Sequence, residues 1–240
     1  MSSDVREPGA AWARRREPRT TLSRDAIVAA ALELLDADGI DGLSLRKLAA
    51  RLGVGAASLY WHVKDKDELL DLAVDAVIGE VRPGEETGGS WRDDLARTGR
   101  ELRRVLLLHR WAVPLLLTRP TFGPHAIAGL EATLAVIARG GFEGVELFHA
   151  YSALITYVTG EVAQEASVPP GAHAGQGDPE AVVASLEELY GREYPLLRTL
   201  APYLLSHEQD PQFEFGLAMV LDGLEARQRE SQARAARSGR

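Results

Sequence analysis

From about residue 23 onward, apolar residues recur at helical spacing, and no stretch of useful length alternates as a strand would. Ile27, Ala30, Ala31, Leu34 and Leu35 form one stripe, with Ser23 placed to cap it and Gly39 to end it. Ser44 precedes a second stripe, Leu45, Leu48, Ala49 and Leu52, stopped by Gly53 where a left-handed residue costs least. A short helical segment over 56–62 follows, with Val54, Leu59 and Val63 directed inward. Asp65 and Glu68 have the spacing of a capping box and open a longer helix carrying Leu69, Leu70, Ala73, Val74 and Val77 toward Val81. Pro83, Gly84, Gly88 and Gly89 break the pattern, and Ser90 caps a helix from Trp91 to about His109. Further stripes predict helices over 112–117, 124–139, 145–165, 180–190 and 212–234, with a Gly- and Pro-rich loop at 168–179. The expectation is an all-α chain. Residues 1–21 form a flexible basic tail, 22–66 a three-helix unit, 67–82 a connecting helix and 90–230 a larger helical domain.

Composition narrows the chemistry. The 240 residues are 45% hydrophobic and 26% charged, ordinary for a globular protein. The absence of cysteine excludes a disulfide framework, a thiol nucleophile and a cysteine-ligated metal site. The longest apolar runs reach about seven residues, as over 111–117, far short of the ~18 that span a bilayer. With no apolar leader at the N-terminus, a cytoplasmic protein without a membrane partner is expected.

The net charge of −8 is unevenly spread. Residues 1–66 hold 11 Lys/Arg against 9 Asp/Glu, whereas the remainder is acidic. Arg46, Lys47, Arg51, Lys64 and Lys66 crowd one window with Asp65 as its single acid. A basic head on an acidic body suits DNA binding through one end, although a solvated helix face produces the same count. The Leu52-Gly53-Val54-Gly55 turn between an amphipathic helix and a short helix with a polar face is the helix-turn-helix plan. That plan seats the N-terminal end of the second helix in the major groove.

Specific residues carry a resemblance. Ala31-Leu32-Glu33-Leu34-Leu35, Gly39-Ile40-Asp41-Gly42-Leu43-Ser44, Arg46-Lys47-Leu48-Ala49 and the run from Leu59 to Lys66 closely resemble the tetracycline-repressor (TetR) family. Further back, Ser90-Trp91, Leu108-His109-Arg110, Thr118-Arg119-Pro120, Gly141-Phe142 and Phe215-Gly216-Leu217 resemble the C-terminal domain of its tetracycline-repressor class. The resemblance implies a homodimeric repressor that binds a palindromic double-stranded operator and answers to a small-molecule effector. It places Arg46 at the DNA backbone or a base edge, Ala56, Ala57 and Ser58 at bases, and Tyr60, His62 and Lys66 at phosphates, with Trp61 beside them chiefly packing. Alanines offer only apolar contact to a thymine methyl. Core packing is the competing account of Tyr60. The Arg14-Arg15-Arg16 tail reads either as a minor-groove arm or as a solubilising segment. The stripes Leu147, Tyr151, Leu154, Ile155, Val158, Val162 and Phe213, Leu217, Val220, Leu221, Leu224, with Gly216 and Gly223 allowing close approach, are assigned to a four-helix dimer bundle on the family's account.

The family's magnesium–tetracycline site does not carry over. Its metal-binding histidine falls on Leu115, its acidic residue on Gln164, and its drug-binding positions on Arg82, Thr98 and Thr133. Aliphatic and neutral side chains supply no hard ligands to Mg²⁺. The expectation is therefore no metal, no cofactor and a different, largely apolar effector between the fifth, seventh and eighth helices. Arg82, Thr98, Leu102, Leu115, Thr118, Arg119, Thr133, Thr156 and Gln164 are the candidate ligand-binding residues. Ordinary core packing competes at each. The fourth helix would transmit ligand binding to the reading head as a population shift. Catalysis lacks support: the six histidines show no zinc-binding pairing, and no phosphate-loop or nucleophile-elbow sequence occurs. A helical carrier with a vestigial head, or an activator, remains as the alternative.

Overall fold

The computed structural model describes residues 22–82, 89–167 and 209–238, with a few isolated positions between 184 and 200. The described chain is helical throughout: α1 Arg24–Gly42, α2 Leu45–Arg51, α3 Ala56–Leu59, α4 Lys66–Gly79 and α5 Trp91–Leu108. These lead into α6 Ala112–Thr118, α7 Pro124–Arg139, α8 Gly144–Ser167 and α9 Gln209–Ser238. The Arg-rich tail, the 168–179 loop and most of the helix expected over 180–190 lie outside the described residues.

The caps explain why the helices start where they do. Ser23 Oγ accepts from the Ala26 amide at 3.1 Å, Ser44 Oγ from Lys47 at 3.2 Å and Ser90 Oγ from Asp93 at 3.1 Å. Asp65 Oδ1 accepts from the Glu68 amide at 2.9 Å, but Glu68 Oε2 accepts from the Lys64 amide at 2.7 Å, one residue before a capping box would close. Gly53 sits at φ +66°, turning the chain out of α2 in a conformation that a Cβ would strain. The segment expected over 56–62 is helical only to Leu59, because the His62 and Val63 amides both donate back to the Leu59 carbonyl and close a tight turn.

Leu35, Leu43, Leu48, Leu59 and Val63 are buried against Leu69 and Leu70, which fixes the first three helices on α4. Full burial of each such side chain contributes about 1.5–3 kcal/mol. α4 then joins the body: its buried Asp75 accepts from the Ala126 amide at 2.9 Å and faces His125 Nδ1 at 2.9 Å. Gly123 has no side chain with which to cap α7, and Asp75 supplies the missing acceptor from the neighbouring helix. α5 runs through the centre, with Leu95, Leu102, Val105 and Leu106 buried among α4, α7, α8 and α9.

The stripes assigned from sequence to a dimer bundle are instead intrachain. Leu154, Val158 and Val162 of α8 and Phe213, Leu217, Leu221 and Leu224 of α9 are buried within the one chain. Tyr157 bridges the two helices: its hydroxyl donates to the Phe213 carbonyl at 2.7 Å, and its ring stacks on Phe213 at 5.7 Å. Gly216 lies directly beneath, where a Cβ would fall 2.6 Å from Tyr157 Cζ. Burial, together with the Glu161 carboxylate, pushes the Tyr157 phenol up to about 12. Gly223, by contrast, meets open space. No described helix is long and apolar enough to cross a membrane.

Candidate DNA-reading surface and effector cavity

The first site is the outer face of the N-terminal helices. With Leu48 and Leu59 buried, α2 and α3 are locked at a fixed crossing, and Ala56, Ala57 and Ser58 stand exposed on the short helix. Tyr60 is 59% exposed and Trp61 is 89% exposed, so the packing role expected of Trp61 is overturned: the turn after Leu59 throws the indole outward. Two adjacent large aromatic side chains on an exposed face form a contact surface rather than core. Arg46 is exposed at the start of α2, and His62 is half-buried beside the aromatic pair.

Much of the local positive charge is already engaged. Arg51 pairs with Glu33, Lys47 with Asp38 at 3.4 Å and Arg24 with Glu68 at 2.8 Å. Lys66, assigned from sequence to phosphate, donates its ammonium to the Ile40 carbonyl at 2.7 Å and ties α4 to the end of α1. Gly39 interrupts α1, and the Ile40 carbonyl beyond that break accepts from both the Leu43 amide at 3.3 Å and the Lys66 ammonium. Among the described residues, Arg46 and Lys64 have exposed side chains without an ion-pair partner.

The head meets the body at His109. Its Nδ1 lies 2.7 Å from Asp36 Oδ1 of α1 and its Nε2 lies 3.2 Å from Glu80 Oε2 at the end of α4. Trp111 Nε1 donates to the same Asp36 oxygen at 2.7 Å. Burial works against protonation of this imidazole, but the two carboxylates outweigh it and hold its pKa above the ordinary value. Sequence reading treated His109 only as part of a motif; the distant Asp36 carried no local signal.

The second site is a partly open cavity of about 400 Å³ lined by α5, α6, α7 and α8, with Ile78 at the end of α4 and Val81 just beyond it at one side. Five of the expected residues line it: Thr98, Leu102, Arg119, Thr133 and Thr156. Four do not. Leu115 faces a smaller neighbouring space of about 280 Å³ between α4 and the 119–124 turn. Thr118 is exposed at the end of α6, its hydroxyl donating to the Pro114 carbonyl at 2.7 Å. Arg82 and Gln164 are exposed, beyond α4 and near the far end of α8. Tyr151, Ile155 and Thr159 complete the α8 wall and were missed, although Thr159 stands one turn after Thr156. Arg119 reaches from the cavity rim to Asp67 at 3.0 Å and Asp71 at 3.6 Å on α4, and the Asp67 hydrogen bond holds its guanidinium above the ordinary pKa.

The cavity chemistry does not fit a magnesium complex. Among the described residues its lining holds no carboxylate and no imidazole, and its one cation is the Arg119 guanidinium. Among the described residues no group of three His, Cys, Asp or Glu is placed to hold a metal ion.

Comparison with known proteins agrees with this geometry. Residues 27–73 match the family of bacterial regulatory proteins of the tetR type, and residues 82–228 match the tetracyclin repressor-like C-terminal domain. An HTH-type transcriptional regulator of Saccharopolyspora erythraea is 52% identical over 161 residues, covering 66% of this chain and 68% of that protein. The HTH-type transcriptional repressor DrrR1 of Streptomyces coeruleorubidus is 37% identical over 88% of this chain and 80% of its own length. Among solved structures, ActR of Streptomyces coelicolor in its apo form superposes with a TM-score of 0.78 at 35% identity, covering 88% of this chain and 98% of that one. ActR in complex with actinorhodin gives 0.77 at 36% identity, covering 85% of this chain and 97% of that one. A helix-turn-helix head, a helical C-terminal domain with a cavity between its helices, and matches to both family domains make one conclusion: this chain belongs to the TetR family of bacterial transcriptional regulators.

Proposed function

We propose that this protein is a homodimeric transcriptional repressor that binds a palindromic operator and is released from it by a small-molecule effector other than magnesium–tetracycline. The observation that carries the reading is the continuity of α4. Its first residues hold the reading head, its end reaches the cavity at Ile78 with Val81 just beyond, and its flank is pinned to the cavity rim through Arg119. A ligand that favours one position of the rim shifts α4 and therefore the head, lowering operator affinity by linkage, typically by 1–3 kcal/mol. DrrR1 is named as a repressor, and ActR is seen bound to actinorhodin and to (S)-DNPA, which supports both halves of the reading.

In this scheme Arg46, Ala56, Ala57, Ser58, Tyr60, Trp61 and His62 meet the duplex, and Lys64 takes the phosphate role vacated by Lys66. Two copies meet through the outward faces of α8 and α9, where Phe148 is 62%, Phe215 71% and Met219 58% exposed. Such a patch is covered in a stable protein, and a twofold arrangement of two helices per copy makes a four-helix bundle. Twofold symmetry of the heads then requires a palindromic site.

The test is fluorescence anisotropy on duplex DNA from the region upstream of the gene, with a scrambled competitor and a salt titration. Tight binding with twofold-symmetric protection supports the repressor. Affinity equal to the scrambled control favours the carrier reading, in which the head no longer reads DNA. An activator would bind as tightly but raise transcription in a reporter, because the sign of control is set by operator position.

A further inference from the structure

Three buried threonines of the cavity wall have their hydroxyl protons already committed. Thr98 Oγ1 donates its single proton to the Asp94 carbonyl at 3.0 Å, and Thr133 Oγ1 donates to Gly129 at 2.8 Å. Thr159 Oγ1 donates to Ile155 at 2.7 Å. All three are buried, at 4%, 5% and 8% exposure, and they stand on three different helices that wall the same space. A hydroxyl has one proton and two lone pairs, so each threonine offers the cavity only an acceptor.

The consequence is asymmetric. A ligand hydroxyl or N–H that meets one of these oxygens adds a hydrogen bond and displaces none. A ligand carbonyl or ether oxygen must draw the proton away from the helix carbonyl, exchanging one bond for another. At these three positions, left without that exchange, it stays buried and unpaired. Arg119, the only ionised group among the described residues of the lining, already faces Asp67 and Asp71, so those walls hold no uncompensated charge for an ionic ligand. The remaining surface is aliphatic, with Leu102, Leu116, Leu130 and Ile155 prominent.

We infer that the wall formed by Thr98, Thr133 and Thr159 selects an uncharged, largely apolar ligand by its hydrogen-bond donors: a hydroxylated ring compound, in preference to the same skeleton with those hydroxyls methylated. This deepens the effector reading above and rests on it.

The experiment uses the full-length protein and two matched probes, 2,7-dihydroxynaphthalene and 2,7-dimethoxynaphthalene, titrated by calorimetry. Both are measured against wild type and against Thr98→Val, Thr133→Val and Thr159→Val, singly and combined, with thermal melting as the folding check. Valine keeps the shape and removes the acceptor. Comparing the ratio of the two affinities between wild type and variant cancels the difference in the probes' own hydration. The expected result is that the ratio falls in favour of the ether by about 2–10-fold for each threonine engaged, the worth of one hydrogen bond. The single variants keep the test open should the triple variant not fold. A ratio unchanged in all the folded variants, with both probes still bound, overturns the donor rule and leaves the cavity as a ligand site. Binding of neither probe to wild type overturns the donor rule together with the effector-cavity reading on which it rests.

Discussion

Replacing Asp36 by alanine cuts the polar junction between reading head and body at its centre. One carboxylate oxygen accepts from Trp111 Nε1 at 2.7 Å and stands 2.7 Å from His109 Nδ1, and both rings are 8% exposed. A hydrogen bond to an ionised group is worth about 1.5–3 kcal/mol, and one left unmade at a buried donor costs about as much. Because the Asp36 side chain is itself 36% exposed, the sum is discounted to about 2–3 kcal/mol. For a domain of this size that corresponds to roughly 4–12 °C in Tm. The loss depends on pH with a definite sign. The folded-state pKa of His109 is raised by its two carboxylates, so its stabilisation is complete below the unfolded value near ~6.5 and fades as pH rises through the folded value. Asp36→Ala is therefore more damaging at about pH 6 than at about pH 8.5, and Asp36→Asn, which keeps an acceptor for Trp111, falls between. Urea denaturation of wild type and both variants at the two pH values measures this. A loss below about 0.5 kcal/mol, or the same loss at both pH values, would refute the junction as described.

Three further outcomes follow from the same geometry. Lys64→Ala weakens binding to all duplex sequences and lowers the salt slope by about 1, whereas Lys66→Ala leaves the slope alone and costs about 1 kcal/mol of stability through the lost Ile40 bond; anisotropy and denaturation separate the two. Trp61→Ala changes stability by less than about 0.5 kcal/mol, because the indole is 89% exposed, yet reduces DNA affinity in the anisotropy assay. Gly216→Ala drives a methyl into the Tyr157 ring and breaks its bond to the Phe213 carbonyl, costing about 1–3 kcal/mol in thermal unfolding; a neutral result would mean that α8 and α9 separate freely.

Helix starts were legible because capping is local: Ser23, Ser44, Asp65 and Ser90 all bond an amide three residues on. The partner covering an apolar stripe is not a local property. Leu154 and Leu217 have the same spacing whether a second copy or their own chain buries them, and here their own chain does. The cavity was half legible for a related reason. Helical spacing carries a position on one wall to its neighbours, and Thr98, Thr133 and Thr156 of α5, α7 and α8 do line the space. Thr118 lies at the frayed end of α6, and one step along a helix turns a side chain about 100°, so it points outward while Leu117 and Arg119 line the space. The bond from Lys66 to the Ile40 carbonyl was not legible because the two residues are 26 positions apart.

Gly99, on the central helix α5, lies where three side chains from other helices converge: a Cβ there would stand 3.3 Å from Leu217 and 3.5 Å from both Leu154 and Val158. That convergence sets an order of opening in time. Amides around Gly99 reach solvent only when α5, α8 and α9 separate together, so their hydrogen exchange reports the global free energy of unfolding. The four-residue α3, with no side-chain cap and an exposed face, opens by local fluctuation, and its amides exchange far sooner. The molecule thus carries a lightly held segment on its exposed N-terminal face and a tightly packed one in its centre, and slower exchange of the α3 amides on adding duplex DNA is the expected mark of contact there.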